Sequence, residues 1–218
     1  MRILAALLVI SIVPLACGTR APVGAGPSAT ATPVPSASRD PSPSASASPS
    51  ADVEATVRAR ATAAVTALRD KDFAALAALA HPVKGVRFSP YAFVDVTRNV
   101  VLDAAAIRQG FASTRTYMWG FTDGRGDAID TNFEGYYKRY IYNKDYAKAP
   151  TIVIDQRTGK GNSLDNSATA YPGARVVEYY LPSTDPNTTL DWAALRLVFE
   201  EQAGTWYLVG IIHDEWTI

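Results

Sequence analysis

Two runs rich in β-branched and aromatic residues, joined by the short connection Gln202-Ala-Gly-Thr205, close the chain between Leu190 and Ile218. This is the pattern of a β-hairpin. In the first run Leu195, Leu197 and Phe199 share a face. In the second, strict alternation places Trp206, Leu208, Gly210 and Ile212 on one face and Tyr207, Val209 and Ile211 on the other. Both faces of the last strand are therefore expected to be apolar, which predicts a central strand covered on two sides. A chain closed in this way must build a layered sheet structure around its own C-terminus.

The opposite end has a different character. Arg2 is followed by an apolar run, Ile3 to Val13, interrupted only by Ser11. That run is about as long as a signal-peptide core and shorter than the roughly 20 residues a bilayer span needs. Residues 1–16 are read as a signal peptide. The chain's single cysteine, Cys17, follows at once, with Gly18 after it. The junction resembles the lipobox of bacterial lipoproteins, which implies that Cys17 is acylated and becomes the new N-terminus. Pro14 stands where that pattern usually has leucine, and Leu15 comes one place late. A lone cysteine in an exported chain has no disulfide partner, which agrees with lipidation.

Residues 18–52 contain seven prolines among Ala, Ser, Thr and Gly, and no aromatic residue. Such a segment cannot bury enough apolar surface to offset its chain entropy. Residues 17–52 are thus expected to form a disordered tether that holds a folded part away from a membrane. From Val53 to the end there are 166 residues, enough for one domain with a substantial core. All 11 tyrosines and all 4 tryptophans lie there. Across the chain 21 basic residues balance 21 acidic ones, so there is no electrostatic footprint for nucleic acid.

The first half of this domain reads as helices. Asp52 is a candidate N-cap for a helix whose stripe is Val53, Val57, Ala61, Ala64, Val65 and Leu68. Asp72 caps a second, Phe73 to Ala80, stopped by His81-Pro82. Val86 to Tyr91 is extended, Asp103 to Phe111 helical, and Thr116 to Phe121 a strand before the turn Asp123-Gly-Arg-Gly-Asp127. Thr131-Asn-Phe-Glu134 has capping-box spacing and opens an aromatic helix from Phe133 to about Tyr142. Strands follow at Thr151 to Asp155 and Ala174 to Leu181, and then the closing pair.

Early helices, the string Asp-Phe-Ala-Ala-Leu ahead of His81-Pro82, and long final strands ending Gly-Thr-Trp206-Tyr-Leu-Val resemble the NTF2-like superfamily. The resemblance implies an α+β fold: a curved antiparallel sheet with N-terminal helices packed in its concave face, enclosing a cone. Residues 117–172 exceed the minimal form and are expected to be an insertion with its own helix. Val86-Arg-Phe-Ser-Pro-Tyr91 and His213-Asp-Glu-Trp216 are similar to features of bacterial lipoproteins. Family resemblance of this kind carries fold and leaves function to the site.

Candidate chemistry is sparse. With two histidines, His81 and His213, and no cysteine beyond Cys17, no metal site or cofactor motif is expected. Gly159-Lys-Gly-Asn162 lacks the rest of a phosphate-binding loop, and Arg125-Gly-Asp127 is accounted for by a glycine-rich turn. Alternation sends His213 and Glu215 to one face and Asp214 to the other. In NTF2-like enzymes an Asp, or a His-Asp pair, inside the cone acts on a proton next to a carbonyl, so the resemblance makes Asp95, Asp214 and His213 catalytic candidates, with Asp95 and His213 foremost. Tyr136 and Tyr140 share a helix face, and the tyrosines could either cover a large apolar surface or line a groove. Tyr91 and Trp119, each flanking a turn, are expected at a rim.

Three readings follow. In the first the protein is an exported, membrane-tethered module of the cell envelope that binds a small molecule or an envelope protein through Tyr91, Asp95, Trp119, Tyr137, Tyr140 and His213. In the second it is an isomerase-, dehydratase- or hydrolase-type enzyme with a closed pocket of roughly 300 Å³ or more around a shifted acid or base. In the third it is a homodimeric scaffold with an exposed apolar patch on the outer face of its sheet.

Overall fold

The computed structural model describes residues 49–159 and 161–217. The expected signal peptide, Cys17 and the tether up to residue 48 lie outside the described residues.

Helix α1 runs from Pro49 to Asp70 and begins inside the stretch read as tether. Proline is tolerated in the first turn, where its missing N–H has no intrahelical partner. Asp52 consequently lies in the first helical turn instead of capping it, where its charge suits the positive end of the helix. Val57, Ala61, Ala64, Val65 and Leu68 are buried as the stripe predicts. Helix α2, Phe73–Leu79, is capped by Asp72, whose side chain accepts from the Ala75 N–H at 2.9 Å. Ala80 turns extended ahead of His81-Pro82, and buried His81 closes the following turn by accepting at Nδ1 from the N–H groups of Val83 and Lys84.

Strands β1 (Val86–Ser89) and β2 (Val101–Leu102) flank a long loop, and α3 (Ala104–Gln109) follows with Asp103 as its cap. Strands β3 (Thr116–Phe121) and β4 (Ala128–Asn132) form a separate two-stranded ribbon. Helix α4 (Phe133–Tyr136) continues into a π-helical turn, Tyr137–Ile141. The cap of α4 is Asn132, accepting from the Gly135 N–H at 3.0 Å, one place later than the Thr131 box predicts. Thr131 is still in the ribbon, paired with Tyr117, so its backbone is committed to the strand. Strand β5 (Thr151–Ile154), helix α5 (Ser167–Ala170) and strands β6 (Arg175–Leu181), β7 (Ala193–Gln202) and β8 (Thr205–Glu215) complete the chain.

The main sheet has six strands in the order β2-β1-β8-β7-β6-β5, antiparallel except where β1 runs parallel to β8. The architecture is thus α+β, with β8 in the interior of the sheet and α1 packed across β6, β7 and β8. Within 117–172 the ribbon and α4 stand apart from the sheet, while β5 joins it as an edge strand. The β7–β8 hairpin turns on Ala203 and Gly204, both left-handed with φ of 51° and 79°. Two such residues make the primed turn whose twist matches the flanking strands.

Strict alternation fails once in β8. Phe199 pairs with Leu208 and Val198 with Gly210, leaving Val209 as the extra residue of a bulge. Trp206 and Leu208 therefore share the helix-covered face with Ile211 and His213, whereas Val209, Gly210, Ile212 and Asp214 face outward. The sequence periodicity, which groups Leu208 with Gly210 and Ile212, is corrected by this one inserted position. The bulge also bends the sheet around the helices and lets Tyr171 reach Gly210, where a Cβ would stand 2.7 Å from the tyrosine oxygen.

Candidate functional site

The concave face of the sheet is filled. Trp119, Phe133, Tyr136, Phe88 and Tyr146 are each at most 1% exposed and pack among α1, α2 and β8. Trp119 stacks on Tyr136 at 3.9 Å and 14°, and its indole N–H donates to the Thr131 carbonyl at 2.9 Å. It belongs to the core and not to a rim: alternation along β3 puts Trp119 inward on the same face as Tyr117, opposite exposed Met118. Tyr137 is buried beside Phe73 and Phe111 and donates its hydroxyl to the Leu68 carbonyl at 2.5 Å. Burial pushes that phenol up to about 12. Four cavities among the described residues are lined by loops, turns and the outer face of the sheet, away from this aromatic core.

His213 is fully buried at the end of this aromatic mass. Its Nδ1–H donates to the Pro90 carbonyl (3.1 Å), so Nε2 is left to accept from the Asn143 amide (3.2 Å), and Tyr140 packs edge-on against the ring. Burial pulls its pKa down to about 4, only partly opposed by nearby Glu215, and keeps the imidazole neutral. With both ring nitrogens engaged, His213 ties the 90–99 loop to β8. Asp95 stands elsewhere, in that loop. Its Oδ1 accepts from the Thr97 hydroxyl (2.7 Å) and from the Thr97 and Arg98 N–H groups, bonds that hold its pKa below the usual carboxylate range. No hydrogen bond or ion pair joins Asp95 to His213 among the described residues.

The outer face of the sheet carries a buried ion network. Arg196 reaches Asp165 at 2.7 Å and Asp214 at 3.7 Å, and Arg157 reaches Asp214 at 2.8 Å. Glu178, fully buried and opposite Arg196 in register, accepts from the Thr158 N–H at 2.6 Å and the Gly159 N–H at 3.4 Å. These bonds hold residues 157–159 and 161–165 against the sheet as a strap. Burial raises the Asp214 pKa to about 6 against the pull of the two arginines. Burial also acts to raise Asp165, but Arg196 and the Ser167 hydrogen bonds outweigh it and leave that carboxyl low.

An open groove remains where three segments meet. The 90–99 loop supplies Tyr91, Phe93 and Asp95, the β3–β4 turn supplies Phe121 and Asp123, and the strap supplies Leu164, around a volume of about 470 Å³. Phe93 is 51% exposed, Phe121 44% and Leu164 77%. The loop is stiffened from within, because the Asn99 Oδ1 accepts from the Asp95 N–H (2.8 Å) and from the Ser89 hydroxyl (2.9 Å). A second lobe of about 500 Å³ shares Tyr91 and Asp123 and runs toward Arg139 and Trp216.

Of the residues singled out from sequence, Tyr91 and Asp95 line this groove. Tyr140 lies behind it, touching Tyr91 at 5.8 Å and His213 at 5.9 Å, while Trp119 and Tyr137 are interior. Phe93, Phe121, Asn99, Asp123 and Leu164 were not legible as site residues, since loop and turn positions carry no periodicity. Arg196 and Glu178 had a signal: each is a charge flanked by apolar residues inside a strand, a position where a charge needs buried partners. Among the described residues no group of three His, Cys, Asp or Glu side chains is placed to hold a metal ion, and no helix is long and apolar enough to cross a membrane.

No protein-family model and no curated protein matches the chain. Two solved structures are similar to it. One is a designed NTF2-like protein, 14% identical, covering 74% of this chain and 98% of its own, with a TM-score of 0.30. The other is a putative calcium/calmodulin dependent protein kinase II association domain from Xanthomonas campestris, 18% identical, covering 75% and 85%, with a TM-score of 0.32. The architecture of this chain rests on its own strand order and helix packing.

Proposed function

We propose that the protein is an exported binding module, tethered to the cell envelope through Cys17, whose ligand seats in the aromatic groove between the 90–99 loop, the β3–β4 turn and the strap. One observation carries the reading: the concave face is packed solid by aromatic side chains, whereas exposed Phe93 and Phe121 and half-buried Tyr91 line an open groove. A groove with aromatic walls and a few fixed polar groups is what ligand sites are made of. The enzyme reading lacks support, because His213 has both nitrogens occupied and Asp95 is spent on its own turn. The scaffold reading also lacks it, since the strap and Tyr171 cover the outer face of the sheet.

The test is mass spectrometry of small molecules and peptides extracted from the full chain after purification from envelope membranes. A species retained by the wild type and lost from a Phe93→Ala, Phe121→Ala double variant is the expected result. Identical extracts from both proteins would overturn the reading. The tether is tested separately: Cys17→Ser should move the protein from the membrane fraction to the soluble one, and unchanged membrane retention would remove the anchor.

A further inference from the structure

The two lobes meeting at Tyr91 and Asp123 specify a chemical class of ligand, an inference that rests on the binding reading above. We propose that they take a neutral carbohydrate chain of two or more rings.

Electrostatics narrows the choice first. Each charge on the groove walls already has a partner: Asp95 with Arg98 at 3.8 Å, Arg125 with Asp127 at 3.4 Å, and Arg139 with Glu215. Asp123 is satisfied by the Ser163 and Thr217 hydroxyls and the Gly124 N–H. A phosphorylated or carboxylated ligand would call for uncommitted arginines, and a cationic one for uncommitted carboxylates or a cage of rings. The groove offers neither, so its ligand is uncharged.

Shape and polarity narrow it further. Aromatic side chains line both lobes: Phe93 and Phe121 the first, Tyr91 both, and Trp216, 39% exposed, the second. Rings in both lobes suit a ligand that presents more than one apolar face. The polar edge is matched as well. Asn99 is more than nine-tenths buried and lines the first lobe, its oxygen spent on Asp95 and Ser89 while its Nδ2 has no acceptor among the described residues. This Nδ2 is open to the groove and to water, so a ligand oxygen can take its donors, whereas an apolar group seated there would desolvate them. Sugar rings present C–H faces to aromatic side chains and hydroxyls at their edges, the combination these walls complement. A hydrocarbon chain would leave the Asn99 donors without a partner.

Isothermal titration calorimetry of the detergent-purified full chain tests this, with tetra-N-acetylchitotetraose, cellotetraose and maltotetraose as neutral probes. A hyaluronan tetrasaccharide serves as the anionic probe and an uncharged tetrapeptide as the non-sugar one. At least one neutral oligosaccharide should bind and perturb tryptophan fluorescence, and Phe93→Ala and Trp216→Ala should each weaken it by about tenfold. Both side chains are exposed, and unchanged melting temperatures confirm that the variants fold. No binding of any neutral sugar at about 10 mM, a threshold near −3 kcal/mol, overturns the proposal. So does binding that Phe93→Ala and Trp216→Ala leave unchanged, or preference for the hyaluronan or the tetrapeptide. If the sugars fail while a Phe93-dependent species is still extracted from the membrane-purified chain, the carbohydrate class falls and the binding reading stands. If both fail, the groove is not a site.

Discussion

His213 and Asp214 are adjacent in β8, both are buried, and they live in opposite worlds. His213 faces the helices, among rings, and is held neutral by desolvation, with two hydrogen bonds fixing its tautomer. Asp214 faces the strap, between two guanidiniums, in a network of five charged side chains of which Asp214, Arg196 and Glu178 are buried. One face of the sheet is stabilised by shape and apolar area, the other by compensation of charge. The difference teaches where this protein can change without collapsing. An aromatic interior tolerates volume-conserving swaps, while an ion network tolerates neither the loss of one member nor a proton in the wrong place.

The largest expected effect is on the aromatic side. Trp119→Ala removes a fully buried indole and leaves the Thr131 carbonyl without its donor. Aromatic truncations in cores cost about 3–5 kcal/mol, and the orphaned carbonyl places this one at about 4–5. Urea denaturation measures it. On the other face, Arg196→Met leaves Asp165 and buried Asp214 without this guanidinium and should cost about 3–4 kcal/mol. A value under 1 kcal/mol would show that the outer face is held by its apolar contacts, erasing the contrast between the faces.

Acidity separates the two neighbours more sharply, because their slopes have opposite sign. The His213 pKa is lowered from 6.5 to about 4, so the unfolded chain binds more protons in that window and stability falls as pH drops through it. The Asp214 pKa is raised from 3.8 to about 6, so the folded chain binds more protons there and stability rises as pH drops from 6 toward 4. At ~1.4 kcal/mol per pKa unit each contribution is on the order of 3 kcal/mol, and the two nearly cancel. Removing one uncovers the other. Relative to wild type, Asp214→Asn should lose stability on acidification from pH 6 to 4, and His213→Gln should gain it. Thermal melts across that range read the sign directly, and parallel slopes for the two variants would refute the opposition.

Much of the aromatic face could be read from sequence, and little of the charged one. The α1 stripe, the Asp72 cap and the closing hairpin are local patterns that survive into the fold. The Val209 bulge is a single inserted residue with no compositional mark, yet it reassigns Gly210 and Ile212 to the outer face. Arg157 and Asp165 meet Asp214 and Arg196 only because the strap folds back over the sheet, a pairing across 57 and 31 positions of sequence. The groove was half visible. Tyr91 and Asp95 are near a proline and a turn and could be suspected, whereas Phe93 and Phe121 become a site only when two loops distant in sequence are brought together.

The smallest effect probes how the aromatic face is launched. Tyr136, Tyr137 and Tyr140 reach the interior because α4 starts abruptly at the end of β4, where Asn132 accepts from the Gly135 N–H. Asn132→Ala should therefore cost about 1 kcal/mol, the usual worth of an N-cap. Thr131 has capping-box spacing from Glu134, but its backbone is in the ribbon and its carbonyl receives the Trp119 indole, so its side chain makes no cap. Thr131→Ala should change stability by less than about 0.5 kcal/mol. The two substitutions are neighbours on one strand and remove side chains of similar size, so a difference between them isolates the cap. Equal losses would mean that the helix start is held by the packing of the rings beyond it, and the aromatic face would then set its own backbone.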